Sequence, residues 1–536
     1  MVWHIVAKDV RQLRWPLAAV VAVHAIQTVA RVKVAVLADP SALSAVAGLP
    51  GSLLTLLITG LLIALVVQQD TTTDTSQDWL VRPIRRRDLI FAKVVFVVAF
   101  VHVPLLLLDA WSAASSGFPP ASAFGAATTR AVYLFVTFTI PALGIATVTS
   151  NITQLVVALI AWVVVLVAMT AGATLVLEWS SPTAQSGLAW VPTVGRQALM
   201  AGAAAFALVV QYVRRRTNWS RAVLLGAVVA SQALTFLPWP IAYAIERNVS
   251  RGSASSDALS VAFESSAARF RPALGQNIND IDERPGVGPM DVAAENERRR
   301  AEDVQTIFLP VAFGGLPAGA IGLVDRSEVR LLNADGVVIH RGVGNDLQVR
   351  QTGDDGDLVT THHGVRIPGV VFRLASAPIT LEVEYWLTLF REKDGQTLPA
   401  SSGERLMPGL GRCAAGRNRA GTAVQLRCVA AGERPPCLIV SLQHPQSGRR
   451  NPDVPICAPD YTPFAGHAIP DAMSRYGGAL RFSDPAGLAR FPVSGRDVDE
   501  AVVLIKSYVP DGHVQRRLSI RAITLSDWLP DMSNGL

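Results

Sequence analysis

LIFAKVVFVVAFVHVPLLLLDAW, residues Leu89 to Trp111, carries Lys93, His102 and Asp109 as its only ionisable groups. As a helix rising about 1.5 Å per residue, such a run reaches across a hydrocarbon core of about 30 Å. A strand of a water-soluble sheet is far shorter, so this stretch predicts a membrane-crossing helix. Working outward, comparable runs lie at Trp15 to Leu37, Leu49 to Val67, Ala131 to Val148, Ile152 to Leu177, Ala198 to Val213 and Ala222 to Ile245. The 536 residues are 50% hydrophobic with a mean hydropathy of +0.34, too apolar for an average soluble chain. The excess ends near Arg247, where charged residues return at ordinary density. The expected fold class is therefore a multi-span α-helical membrane bundle of about seven helices followed by a β-rich, antiparallel, sandwich-like soluble domain. The expected divisions are an interfacial helix over 1–14, a helical domain over 15–246, a linker with one exposed helix over 247–305, and the β-rich domain over 306–536.

The net charge of +6 is not a nucleic-acid footprint, because the basic residues of the first half sit at the ends of apolar runs. With the N-terminus inside, seven spans place Lys8, Arg11, Arg14, Arg82, Arg85, Arg86, Arg87, Lys93, Arg214, Arg215, Arg216 and Arg221 on the cytoplasmic side. Only Arg31, Lys33, Arg130 and Arg196 fall opposite. This bias predicts that everything after Ile245 lies outside the cytoplasm of a bacterial plasma membrane. No small-residue cleavage site follows the first apolar run, so that span is expected to be retained. The four cysteines, Cys413, Cys428, Cys437 and Cys457, all lie in the second half. They form no CxxC pair, which argues against zinc, and an even number in one domain fits disulfides in an oxidising compartment. Three pairings, or four separate buried thiols, remain open.

Around the spans, Trp3, Val6, Val10 and Leu13 recur at helical spacing while Lys8, Asp9, Arg11 and Gln12 fall on the other side. That pattern predicts a short helix lying in the interface. Inside the spans, His24, His102 and Asp109 are the polar candidates, since a charge at membrane depth must pair or face a cavity. For the histidines the expectation is a neutral ring hydrogen-bonded within the bundle. Arg130 and Glu178 are expected at the interface, and Pro104, Pro141, Pro238 and Pro240 at kinks. Between the second and third spans, QQDTTTDTSQDWLVRPIRRRD (Gln68 to Asp88) is polar, then basic, with an exposed Trp79-Leu80-Val81 patch. Lipid headgroups account for Arg85, Arg86 and Arg87 but not for the aspartates or the tryptophan.

KDVRQLRWPL (Lys8 to Leu17), an apolar hairpin and then DWLVRPIRRRDLIFAKVV (Asp78 to Val95) resemble the permease subunits of type 2 ABC exporters. In that family the loop after the second span contacts a separate ATPase. By this resemblance Trp79, Arg82, Pro83, Arg85 and Lys93 occupy motif positions, and Asp78, Arg86 and Arg87 complete the docking surface. The family usually has six spans and lacks a large domain after the last. The chain holds no G-x-x-x-x-G-K-[ST] cradle, so it binds no cofactor itself and ATP would be bound by the partner. One set of spans cannot enclose a pathway, which implies a homodimer or a related permease as second half.

In the second half the alternation of ITLEVEYWLTLF is the clearest strand signal. Ile379, Leu381, Val383, Tyr385, Leu387 and Leu389 face one way, and Thr380, Glu382, Glu384 and Thr388 the other, toward water. Asn333-Ala334-Asp335-Gly336 separates two strand signals as a hairpin turn. Further strands are expected at Ala423 to Val429, Leu438 to Leu442, Ala501 to Tyr508 and Val514 to Ile523. His362 and His363 are adjacent on a strand, point to opposite faces, and are read as surface histidines rather than a metal pair. No hydrolase signature is present, so the chain is expected to be a non-catalytic transport subunit. The alternative is a membrane-anchored extracytoplasmic binding or sensor module without transport.

Overall fold

The computed structural model describes residues 1–33, 49–70, 85–160, 164, 168, 188, 190–249, 259–267, 304–317, 319–344, 347–350, 359–375, 378–418, 421–432, 434–451, 453–457, 473–482 and 492–529. Its first half is helical: α1 (Val2–Gln12), α2 (Arg14–Lys33), α3 (Leu49–Gln68), α4 (Arg86–Val97), α5 (Val103–Ser115), α6 (Pro120–Leu134), α7 (Ile140–Val148), α8 (Trp190–Arg214), α9 (Thr217–Ala233) and α10 (Trp239–Val249). Among the described residues, four helices are long and apolar enough to cross a membrane: Arg86–Ser115, Pro120–Val148, Trp190–Arg214 and Thr217–Phe236. This is fewer than the seven expected, for identifiable reasons. The first candidate, α2, is diluted by His24, Gln27, Arg31 and Lys33; the second contributes the shorter apolar stretch Leu54–Gln68; most of the fifth lies outside the described residues. The seventh stops at Phe236, where a 3₁₀ turn and Pro238 separate it from α10.

Two of the long helices contain a π-helical turn, Val98–His102 between α4 and α5 and Phe135–Thr139 between α6 and α7. Each runs directly into a proline-bearing first turn, at Pro104 and Pro141. A proline ring clashes with the carbonyl four residues back and lacks an N–H, and a widened turn accommodates both effects. Gly144 of α7 lets α8 approach closely, since a Cβ there would stand 2.7 Å from that of Ala204.

Between α5 and α6, Gly117 adopts φ +84°. The amide of Phe118 donates to Ala113 O and that of Gly117 to Ala114 O, closing the helix by a Schellman motif.

The second half is built of antiparallel sheets. The longest has seven strands: β3 (Ala320–Leu332), β4 (Val338–Gly344), β5 (Leu347–Arg350), β7 (Ile379–Pro399), β11 (Cys437–Gln443), β12 (Val454–Cys457) and β14 (Val502–Ile523). Its order is β12-β11-β14-β7-β3-β4, with β5 also pairing β3. A three-stranded sheet joins β1 (Ser260–Phe263), β2 (Val304–Gly314) and β6 (Val359–Pro368). A four-stranded sheet joins β8 (Arg405–Met407), β9 (Gly411–Arg417), β10 (Ala423–Ala431) and β13 (Met473–Arg481).

The long strands β7 and β14 let one sheet serve two cores. At one end Leu381, Val383, Leu387 and Leu518 pack against Ile307, Leu309 and Ile367 of the three-stranded sheet. At the other, Leu398, Leu438, Val503 and Ile505 pack against Val424, Leu426 and Leu480 of the four-stranded sheet. The two strands expected separately before and after residue 510 are the single strand β14, bent by bulges. The expected hairpin is present between β3 and β4, with Gly336 at φ +77°. The expected linker is interrupted: β1 lies inside it and pairs with β2.

Candidate functional site

A buried cluster of four charges forms where α1, the end of α3 and α4 meet. Lys93 Nζ donates to Asp9 Oδ2 at 2.8 Å and to Asp70 Oδ2 at 2.6 Å. Lys8 Nζ holds the same Asp70 carboxylate at 2.8 and 3.0 Å and stands 3.5 Å from Asp9 Oδ1. The Lys93 and Asp9 side chains are 2% and 0% exposed. Two cations against two anions leave the cluster neutral, the condition under which buried charges are tolerated. Burial pushes the Asp70 carboxyl up, but the ammonium groups of Lys93 and Lys8 outweigh it and hold that carboxyl below its ordinary range.

This places the sequence-predicted loop residues unequally. Asp78, Trp79, Arg82 and Pro83 lie outside the described residues. Arg85 is the N-cap of α4, and Arg86 reaches across to donate to Val213 O at 3.0 Å, in the last turn of α8. Arg87 is exposed, whereas Lys93, expected on the docking surface, is buried in the cluster. On α1 the expected faces are revised too. Trp3 is 73% exposed while Asp9 is fully buried beside Ile5, Val6 and Leu13, because Lys93 provides its countercharge. Asp9 is the residue that sequence reading placed on the wrong face, and the pairing of Asp70 with Lys93 is the contact it missed. The available signal was an aspartate at i+3 from Val6 and i−4 from Leu13, on the apolar face.

The same end of the bundle is tied by Gln68 Nε2 to Thr149 Oγ1 at 3.1 Å and by Arg221 to Val148 O at 2.9 and 3.2 Å. A guanidinium on the last carbonyls of a helix satisfies orphan acceptors and complements the helix dipole.

Within the helices, His24 Nε2 meets Thr59 Oγ1 at 3.3 Å, and His102 Nε2 meets Thr139 Oγ1 at 2.9 Å. The second pair joins the two π-helical turns. Asp109 is ion-paired with Arg130, which is 8% exposed.

The β-rich half meets the opposite end of the bundle. Ser116 O accepts from the Arg412 guanidinium, and Val429 packs with Ala113, Phe118 and Ala123. Trp386 packs with Leu188, Trp239 and Tyr243, and His513 Nε2 stands 3.2 Å from Glu246 Oε1. Between Lys93 and Ser116 run 23 residues of helix, about 35 Å at the usual rise. Trp386 and Thr388, on the face of β7 expected to meet water, are buried here.

Both disulfides join directly paired residues of neighbouring strands, Cys413–Cys428 across β9 and β10 and Cys437–Cys457 across β11 and β12. His362 and His363 do point to opposite faces, but His363 is a core residue and not a surface one. Its Nε2 contacts Ser327 Oγ at 3.2 Å and its Nδ1 the Tyr385 hydroxyl at 3.0 Å, and burial pushes its pKa down to about 4. Among the described residues no group of three His, Cys, Asp or Glu side chains is placed to hold a metal.

No known protein family matches the chain, and none of the curated proteins matches it. Among solved structures, two remote likenesses each have TM-score 0.11 and 9% identity. One is a protein titled pT26-6p, with 40% of this chain and 61% of that chain covered. Another is red sea bream transglutaminase, with 44% of this chain and 34% of that chain covered. Likenesses this slight carry no argument about fold or function.

Proposed function

We propose that the chain is the membrane-spanning subunit of an ATP-driven exporter in a bacterial plasma membrane. A separate ATPase docks on the loop between α3 and α4, and the disulfide-bearing β-rich half faces the outside. The observation that carries this reading is the buried Asp9–Lys93–Asp70–Lys8 cluster. Asp70 stands at the entry of the loop and Arg85 to Lys93 at its exit, so a push on the loop is delivered to α1 and α4 together through short, dry ion pairs. The arginine-rich end of the bundle also lies opposite the end that carries the disulfides, as the positive-inside rule requires of this orientation. A second copy of the chain, or a related permease, completes the pathway.

The test is to purify the full chain with its native partners and measure nucleotide hydrolysis in proteoliposomes. The expected result is a copurifying nucleotide-binding chain whose hydrolysis is coupled to this subunit, with coupling lost in an Arg82→Ala/Arg85→Ala variant. A folded chain with no nucleotide-binding partner would overturn the proposal in favour of an anchored extracytoplasmic binding module, and normal coupling in that variant would remove the loop as the docking surface.

A further inference from the structure

At the arginine-rich end of the bundle, like charges are brought together by the fold. Arg86 Nη1, in the first turn of α4, donates to Val213 O at 3.0 Å, a contact across 127 positions that seats α4 against the turn between α8 and α9. Residues 85–88 and 214–221 thus come together, and they hold seven arginines and one carboxylate, Asp88. The nearby Asp9, Asp70, Lys8 and Lys93 cluster cancels its own charge and supplies no surplus anion. Arg215 is held at this junction against two penalties. Its backbone is left-handed, at φ +51°, which a residue with a Cβ rarely adopts. Desolvation, and after it the charge of Arg86, keep its guanidinium pKa below the ordinary value.

The surface leading to this turn is apolar and open. Phe206, Val209 and Val213 are exposed along one face of α8, and Leu225 and Val229 along α9. Both helices are long and apolar enough to cross a membrane, where acyl chains cover such faces. The stripe on α8 stops at Val213, and the next three residues are Arg214, Arg215 and Arg216. Trp219, 63% exposed in the first turn of α9, stands at the same boundary, where an amphipathic indole is favoured. The arginines therefore lie at the depth of lipid phosphates. An acidic protein surface would answer the charge but not the open apolar side chains beside it. A phospholipid answers both, with a phosphodiester and with its acyl chains.

We propose that the junction of α4 with the α8–α9 turn binds an anionic phospholipid, its phosphodiester held by Arg86 and Arg215 and its acyl chains lying along Val213 and Trp219. A guanidinium presents a planar fork of donors that matches phosphate oxygens. Arg86 is aimed by its bond to Val213 O, and Arg215 by its left-handed backbone. The inference rests on the bundle lying in a membrane and not on transport.

Tryptophan quenching by acyl-chain bromine, which acts at contact, tests this. The full chain is reconstituted in phosphatidylcholine with a brominated share of either phosphatidylglycerol or phosphatidylcholine. The difference between the unaltered chain and Trp219→Phe isolates Trp219 from the other tryptophans. Each arginine is expected to contribute about a fivefold preference for the anionic lipid, so the pair contributes about twenty-five-fold. In Arg215→Gly, where glycine accepts the left-handed backbone and the fold is kept, the preference is expected to fall about fivefold. Equal quenching of Trp219 by the two brominated lipids would overturn the inference, and so would an unchanged preference in Arg215→Gly. If that variant keeps its lipid preference and instead loses nucleotide coupling, the arginines belong to the ATPase contact and the inference falls. The lipid readout needs no ATPase, so its outcome stands apart from that of the transport reading.

Discussion

Replacing Lys93 by alanine is the most direct perturbation of the buried cluster. The change leaves Asp9 and Asp70 facing each other with Lys8 as their remaining cation. Removing one partner of a buried ion pair costs about 3–5 kcal/mol, because the other charge stays desolvated. Lys8 is 38% exposed, already bonds Asp70 and lies 3.5 Å from Asp9, so it relieves part of the deficit and points to the lower end, about 3 kcal/mol. At about 1.4 kcal/mol per factor of ten, opening of α1 from the bundle should become more than a hundredfold more frequent. Amide exchange of residues 2–12 in the detergent-solubilised chain measures this directly, with residues 239–249 as the internal control. A triple variant, Lys93→Met with Asp9→Asn and Asp70→Asn, removes the buried charges together and should recover most of the protection. Unchanged exchange in Lys93→Ala, or a triple variant as open as the single one, would refute the view that these ion pairs hold α1. The sign of the pH effect follows from Asp70. Its carboxyl is held below its ordinary value of 3.8, so its contribution is complete above that value and is lost as the pH falls below it.

Three further outcomes follow from other sites. His363 is neutral in the folded sheet with a pKa near 4 against an ordinary 6.5, so the unfolded chain takes up the proton first as the pH falls. Stability of the β-rich half should decline between those values by on the order of 3 kcal/mol, and His363→Asn should flatten that decline in denaturant titrations at stepped pH. Gly411 has φ +95°, and a Cβ there would stand 2.2 Å from Val429 O, so Gly411→Ala should destabilise the β9–β10 hairpin by at least about 2 kcal/mol, read as a lowered unfolding midpoint. Arg130→Met should destabilise the chain more than Asp109→Leu/Arg130→Met, because the single change strands a buried carboxylate; thermal unfolding of the two variants in the same detergent compares them.

Much of the architecture was legible along the chain, and the reason is local. Helical runs such as Leu89–Trp111 and the alternation of Ile379 to Leu389 are periodic patterns within one element, where side-chain direction follows from backbone geometry alone. The turn at Asn333 to Gly336 is likewise settled by four residues, with Asn333 Oδ1 accepting from the amides of Asp335 and Val337. The candidate site was only half legible. Lys93 and Asp70 were visible as charges near a loop, but whether a charge faces solvent or a countercharge depends on what packs against it.

By itself, then, the amino-acid order determined a helical first half, a strand-rich second half, the break between them, and the confinement of all four cysteines to one side of that break. Tertiary structure alone decided that Asp9 meets Lys93 across 84 positions. It also decided that Thr388 meets His513 across 125, and that of the three possible pairings the cysteines take Cys413 with Cys428 and Cys437 with Cys457. Periodicity records which face of an element avoids water. It holds no information about which distant face covers it, and the Asp9–Lys93 pair, the Thr388–His513 contact and both disulfides join such faces.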